Sequence, residues 1–410
     1  MTAVIETARV RAASRAVYAA FILLGFARTS WASRIPQIRD ALGLSPSRLG
    51  LVLLAIAAGS MVSLPLAGPL VANFGSRRTV TATAAMLTIS LAGAAVGYRF
   101  GVAPLCVALF AVGFAMGAWD VAMNVQGALV ERRLGKAIMP RFHAGFSVGT
   151  VAGALVGAGA VALDLSVTAH LVVAAVIAGA VVIPAVRTFV PDGPASRPPA
   201  APTDAALGGS AAPVTARSGR LRRALASWRE PRTVLIGVFV LAFAFTEASG
   251  VDWISVAMID DYRAPAVVGT LAFAVFLSAV TIARWFGPAF LDRYGRVRVV
   301  RVLAVVSLFG LLLFVFGTVT PVAFAGALLW GLGVSLGFPV GMSAAADDPA
   351  RAAPRVSVVA SIGYFAYLGG PPFIGFLGDR MTVQRGLIAV AVLLAVAIGL
   401  AGWVRPPNPE

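Results

Sequence analysis

Apolar residues along this chain gather into runs long enough to cross a lipid bilayer, and polar residues gather between them. A helix of about 20 mostly apolar residues spans a hydrocarbon core of roughly 30 Å. With Pro, Gly and charge as punctuation, twelve runs are read, at 15–33, 48–71, 80–98, 102–129, 142–163, 167–187, 233–258, 266–290, 299–319, 322–345, 356–377 and 386–404. Ser45–Pro46 supplies a cap and a first-turn proline for the second. The pattern predicts an all-α membrane protein with twelve transmembrane helices.

The runs repeat. Phe26-Ala-Arg-Thr-Ser-Trp31 matches Phe245-Thr-Glu-Ala-Ser249, with Trp253 slightly further on. Gly50 matches Gly269, and the segment Gly68–Arg78, with Gly75, matches Gly287–Arg298, with Gly295. Internal repeats of this kind predict two pseudo-symmetric six-helix bundles, a construction typical of secondary transporters. The expected domains are 1–187 and 232–410, joined by a polar linker over 188–231. Residues 191–219 are rich in Pro, Ala, Gly and Ser and cannot bury a core. Leu221, Leu225 and Trp228 share one helical face there, which predicts a short basic amphipathic helix on the membrane surface.

Composition narrows the function. Hydrophobic residues make up 59% of the chain and charged residues 12%, too few charges to cover a water-exposed surface. That excludes a soluble enzyme, a nucleic-acid-binding module and a disordered chain. The net charge of +16 follows topology instead. With the N-terminus inside, 24 of the 33 Lys and Arg fall in cytoplasmic segments and 7 outside, a strong positive-inside bias. Both termini are expected to be cytoplasmic, with anionic lipid the partner of the basic surface. The first run is too long for a cleavable signal sequence and lacks a cleavage site, and the single Cys106 says nothing about redox compartment.

Ionisable groups at bilayer depth are costly and mark function. Four are read as intramembrane: Arg28, Asp120, Glu247 and Asp252. Asp120 and Asn124, one turn apart, share a face of the fourth span, and a buried carboxylate there suits reversible protonation. Arg28 and Glu247 occupy matched places in the repeats, either pairing directly or both holding solute. Asp252 is nearer the outside, and His143 opens the fifth span, where it titrates or donates a hydrogen bond. Trp31, Trp119, Trp253 and Trp330 either offer aromatic faces to a ligand or serve as ordinary membrane-interface residues, and Tyr364 offers a hydroxyl. Arg284 reads as a cation that snorkels or meets a loop carboxylate, His170 as structural, and Gly145, Gly149, Gly153 and Gly157 as a close-packing ridge.

On these residues the chain resembles the major facilitator superfamily of transporters. Asp292-Arg293-Tyr-Gly295-Arg296 is similar to the superfamily's loop between second and third spans, although Ala72 and Asn73 stand at the Asp and Arg places of the first half. The resemblance implies a gating role for Asp292, Arg293 and Arg296. Trp119-Asp120-Val-Ala-Met-Asn124 and Phe142-His143-Ala-Gly-Phe-Ser147 look like the fucose permease branch of sugar–proton symporters, with Asp for that branch's Glu and His143 at its Gln. The expected function is alternating-access transport of a small polar solute, a sugar or sugar acid, across a bacterial cytoplasmic membrane. Asp120 and Glu247 couple protons, and Arg28, Trp31, Asn124, His143, Glu247, Asp252, Trp253 and Tyr364 bind solute. The alternative is a proton-driven exporter of a drug or amphipathic metabolite, although the Gly-Pro of drug antiporters is missing from the fifth span. No P-loop sequence supports ATP-driven pumping, no nucleophile–base set supports an enzyme, and neither a cofactor nor a metal is expected. A monomer is expected.

Overall fold

The computed structural model describes residues 2–135, 138–192, 227–348 and 351–406, with side chains from Ala8 onward except Ala353. Every regular element among them is helical. The first span lies in Thr2–Ala32, the fourth in Val102–Leu134, the fifth in Met139–Ala162 and the sixth in Val167–Ala185. Pro231–Asp260, Ala266–Tyr294 and Arg296–Phe316 are spans seven to nine, and Ala352–Arg380 is the eleventh. The tenth runs through Thr320–Val334 and Gly337–Ala345, the twelfth through Val383–Gly386 and Ile388–Leu400.

Spans two and three share one hydrogen-bonded run, Pro46–Gly97, of 52 residues. At 1.5 Å per residue that is about 78 Å, more than twice a bilayer core. Gly75 divides it, with φ 81° and ψ 156°. Gly295 divides spans eight and nine with φ 78° and ψ 154°. The two halves therefore turn on the same left-handed glycine at the position the repeat assigns it, where a Cβ would be strained. Eleven described helices are long and apolar enough to cross a membrane. Counting the divided run as two gives the twelve spans read from the sequence.

The residues fall into two compact units, Met1–Leu44 with Leu51–Ala201, and Ser45–Gly50 with Pro202–Glu410. Ser45 caps the second span as expected, its Oγ accepting from the Arg48 N–H at 3.4 Å. Small residues hold the first unit together. A Cβ on Gly149 would strike the Ile22 carbonyl, one on Gly153 the Thr29 side chain and Phe26 carbonyl, and one on Gly157 the Ser33 side chain. The glycine ridge is thus the seam between spans one and five, where Thr29 Oγ1 also donates to the Thr150 carbonyl at 2.8 Å. Spans two and four meet the same way, with Gly59 against the Phe110 backbone and Gly113 against Ile56.

The turn at Gly75 is tied down by groups not singled out from the sequence. Asp192 accepts from the Ser76 N–H at 2.6 Å and from Ser76 Oγ at 2.7 Å. Ser76 Oγ also lies 3.0 Å from Oε1 of the buried Gln126. Where the first half lacks the loop carboxylate at Ala72, a carboxylate from beyond the sixth span serves this helix start instead. In the second unit Asp347 does comparable work. It accepts from Arg296 at 2.6 Å and Arg232 at 3.0 Å. The amphipathic helix expected at 220–230 lies outside the described residues apart from 227–230, where Trp228 is exposed.

Candidate functional site

Each unit carries its own polar set on membrane-spanning helices. In the first unit, Asp120 and Asn124 project from the fourth span, Asp120 exposed and Asn124 half-buried. Asn124 Nδ2 donates to the Asp120 carbonyl at 2.8 Å and to Asp120 Oδ1 at 3.3 Å, as the one-turn spacing requires. Arg28, exposed on the first span, lies within electrostatic range of that carboxylate. Its sequence neighbours Thr29 and Ser30 are buried, so the guanidinium stands on the open side of an otherwise packed helix. His143 is exposed near the start of the fifth span, its ring edge-on to Phe21 with centroids 5.1 Å apart. Glu131 holds that helix start in place, accepting from the Ile138 and Met139 N–H groups at 2.6 Å each. Phe21 and Arg28 are seven residues apart on one helix face, about 10 Å along its axis. Arg28, Asp120 and Asn124 thus come together within one unit, with His143 beside Phe21 further along the first span.

In the second unit the sequence expectation is corrected. Glu247 pairs with Arg284 of the eighth span, at 2.6 Å, and both side chains are half-buried. Arg284 Nε donates to the Ser335 carbonyl at 3.1 Å. That carbonyl sits between the two helical segments of the tenth span, where Ser335 and Leu336 separate Val334 from Gly337, and an interrupted helix leaves backbone acceptors available to side chains. Arg284 therefore meets an intramembrane carboxylate where a snorkelling or loop-paired cation was expected. Spacing shows depth but not azimuth, so Arg284 was not among the partners read for Glu247.

Asp252 is half-buried, five residues along the helix from Glu247. Tyr364, half-buried, lies with its ring centroid 6.3 Å from that of Tyr367. The tryptophans expected to line a ligand surface are buried instead. Trp119, Trp253 and Trp330 are fully buried and Trp31 nearly so. Trp330 packs edge-on against Phe276 and Phe314, at 5.4 and 5.9 Å. Trp31 and Trp253 are likewise packed within their units here.

Of the gating candidates, Arg296 is bound to Asp347 and donates to Ser343 Oγ at 3.1 Å. Asp292 and Arg293 are exposed, with the Arg293 guanidinium 5.3 Å from the Tyr294 ring centroid. Asp347 escaped notice because a loop carboxylate among Arg residues is commonplace; the pair Asp347-Asp348 in a strongly basic region was the available signal. Arg34 follows the first span. It is buried, donating from Nε to His170 Nδ1 at 2.9 Å and from Nη2 to the Leu165 carbonyl at 3.0 Å, which gives His170 the structural place expected.

With this geometry in hand, comparison with known proteins decides the family. The model of the Major Facilitator Superfamily matches residues 17–357. The chain belongs to the Major Facilitator Superfamily. Superfamily relatives of similar length include an uncharacterized MFS-type transporter of Yersinia pestis, 30% identical over 92% of this chain and 91% of its own. The uncharacterized transporter y4wD of Sinorhizobium fredii is 29% identical over 94% of this chain and 97% of its own. Among solved structures, a variant of the nucleoside transporter NupG aligns with TM-score 0.75 at 15% identity, covering 97% of this chain and 98% of its own. A D-xylose–proton symporter aligns with TM-score 0.71 at 12% identity, covering 98% of each. At such identities the shared feature is the superfamily fold. The protein is a multi-pass membrane transporter of this superfamily.

Proposed function

We propose that the chain couples transport of a small polar solute, a sugar or sugar-derived acid, to proton movement by alternating access. The observation that carries this reading is Asp120, a carboxylate at bilayer depth on the fourth span, left accessible and hydrogen-bonded by Asn124. A permanently ionised carboxylate there is costly, and one that accepts and releases a proton as its surroundings change is the element proton coupling requires. Arg28, Asn124 and His143 contribute hydrogen-bond donors suited to hydroxyl or carboxylate groups of solute. In the second unit Glu247, Asp252 and Tyr364 contribute further contacts. Glu247, already matched by Arg284, serves as a second proton or solute group only when that pair opens. Trp31 and Trp253 contact solute only if a different arrangement of helices exposes them.

The reading extends to the remaining features. Arg296, held by Asp347, anchors the turn between spans eight and nine, and exposed Asp292 and Arg293 are left to engage a gating partner. Residues 188–231 tether two six-span domains, and the protein works as a monomer in a bacterial cytoplasmic membrane. The positive-inside bias puts both termini in the cytoplasm. Burial of the four tryptophans removes the aromatic lining that would favour export of an amphipathic compound, so a polar solute is preferred.

Asp120→Asn tests the reading. A thermal-shift screen of sugars and sugar acids first identifies the solute, and the protein is then reconstituted in liposomes with an imposed pH gradient. The variant is expected to lose gradient-driven accumulation while keeping solute exchange at equilibrium. Wild-type accumulation by the variant would remove Asp120 from the proton path.

A further inference from the structure

At the Gly295 end of the second unit lies a cavity of about 560 Å³ whose lining includes Tyr294, Arg296, Arg298, Arg301, Val302 and Arg405. No carboxylate is part of that lining. Arg296 is matched by Asp347. Among the described residues no carboxylate lies within ion-pair distance of Arg298, Arg301 or Arg405. Asp292, the acid nearest in sequence on the adjoining helix, is exposed and takes no part in the lining. Three guanidinium groups therefore share one concavity with no carboxylate among the described residues paired to them.

Their placement is built. Arg232 donates to the Arg405 carbonyl at 2.8 Å and, from its other nitrogen, contacts the Trp403 carbonyl at 3.4 Å, drawing the segment after the twelfth span against the start of the seventh. Asp347 binds both Arg232 and Arg296. One carboxylate thus positions the two walls of the cavity, leaving Arg298, Arg301 and Arg405 to face it.

The ninth span continues from this cavity as an exposed apolar stripe. Arg298, Arg301, Val302, Val305 and Phe309 recur at helical spacing on one face. Val302, Val305 and Phe309 keep 56%, 49% and 57% of their surface exposed. A cationic concavity opening onto a membrane-facing apolar stripe matches a ligand with an anionic head and hydrocarbon tails. Guanidinium groups favour phosphate oxygens through paired, charge-assisted hydrogen bonds, and a basic pocket among spans is a recognised setting for lipid head groups.

We infer that Arg298, Arg301 and Arg405 form a binding site for the phosphate of an anionic phospholipid, whose acyl chains lie along Val302, Val305 and Phe309. A free soluble phosphate would satisfy the head site alone; the apolar stripe favours the lipid.

The test uses full-length protein in neutral detergent, with binding of dioleoyl phosphatidylglycerol, dioleoyl phosphatidylcholine and inorganic phosphate measured by native mass spectrometry. Wild type is expected to bind the glycerol lipid in preference to the choline lipid. R298Q/R301Q should weaken it roughly 30-fold, the effect of two cations near a membrane surface. R298K/R301K, which keeps the charges, should retain much of the binding and shows that the site tolerates substitution. R77Q/R78Q, removing two exposed cations of the first unit, should leave binding at the wild-type level. Equal losses in R77Q/R78Q and R298Q/R301Q would reduce the effect to general surface charge and overturn the site. Binding of inorganic phosphate as tight as that of the glycerol lipid would overturn the lipid assignment. Neither result bears on whether Asp120 carries a proton.

Discussion

A half-buried ion pair between neighbouring spans behaves unlike either of its members alone. Glu247 and Arg284 each lose solvent on entering the membrane-spanning region, and each is compensated mainly by the other. Removing one leaves the other uncompensated, which costs about 3–5 kcal/mol at fully buried sites. With 19% and 32% of the two side chains still exposed, solvent screening lowers the expectation to about 1–2 kcal/mol. Glu247→Gln and Arg284→Met should therefore each lower the unfolding temperature more than the double variant does. A double-mutant cycle by thermal unfolding checks this, and simple additivity would mean that the pair contributes nothing specific. The same local logic is why the proposed proton path runs through Asp120 before Glu247: Asp120 has a hydrogen-bond donor in Asn124 and the charge of Arg28 within electrostatic range, but no guanidinium in a salt bridge with it.

Between elements, backbone proximity sets the energetics. The seam of spans one and five depends on glycines whose missing side chains let carbonyls approach. Gly149→Ala would place a methyl group against the Ile22 carbonyl, backbone that yields only by separating the helices, at a cost of about 1–3 kcal/mol. Gly159, ten residues on in the same helix, has open space around its Cβ direction. Gly159→Ala should raise stability by about 0.5–1 kcal/mol, because alanine is the better helix former. Comparing the two unfolding temperatures tests the seam; similar effects would mean that the ridge does not pack as described. The ridge was legible as a four-residue repeat of small residues, but its partner, the first span, was not.

At the scale of the molecule, charge links distant parts of the chain within the second unit. Glu230, just before the seventh span, binds Arg355 at 2.6 Å and Arg351 at 3.6 Å near the start of the eleventh. Burial alone would raise its carboxyl, but hydrogen bonds from Arg355 and Thr233 and the two positive charges outweigh burial and hold it below its ordinary value of 4.5. A depressed native value means that this stabilisation is fully present above the ordinary glutamate range and disappears as pH falls through the native value. Wild type should therefore lose more stability than Glu230→Gln between neutral and strongly acidic pH. Unfolding temperatures across that range measure it, and parallel profiles would show that the link is silent. At the repeat-matched positions Ser30 and Ser249, each unit buries a hydroxyl with no hydrogen-bond partner among the described residues.

The sequence by itself determined the number of spans, the repeat that pairs Gly75 with Gly295, and the short roster of ionisable groups at bilayer depth. It could do so because a hydrocarbon layer demands long apolar runs and makes every charge within them conspicuous. Only the tertiary structure decided that Glu247 meets Arg284, that the tryptophans turn inward, and that Asp347 braces an arginine-lined cavity. Those outcomes depend on how each helix is rotated about its axis and how deep it sits beside its neighbour. Such quantities belong to pairs of helices, and no single stretch of chain carries them.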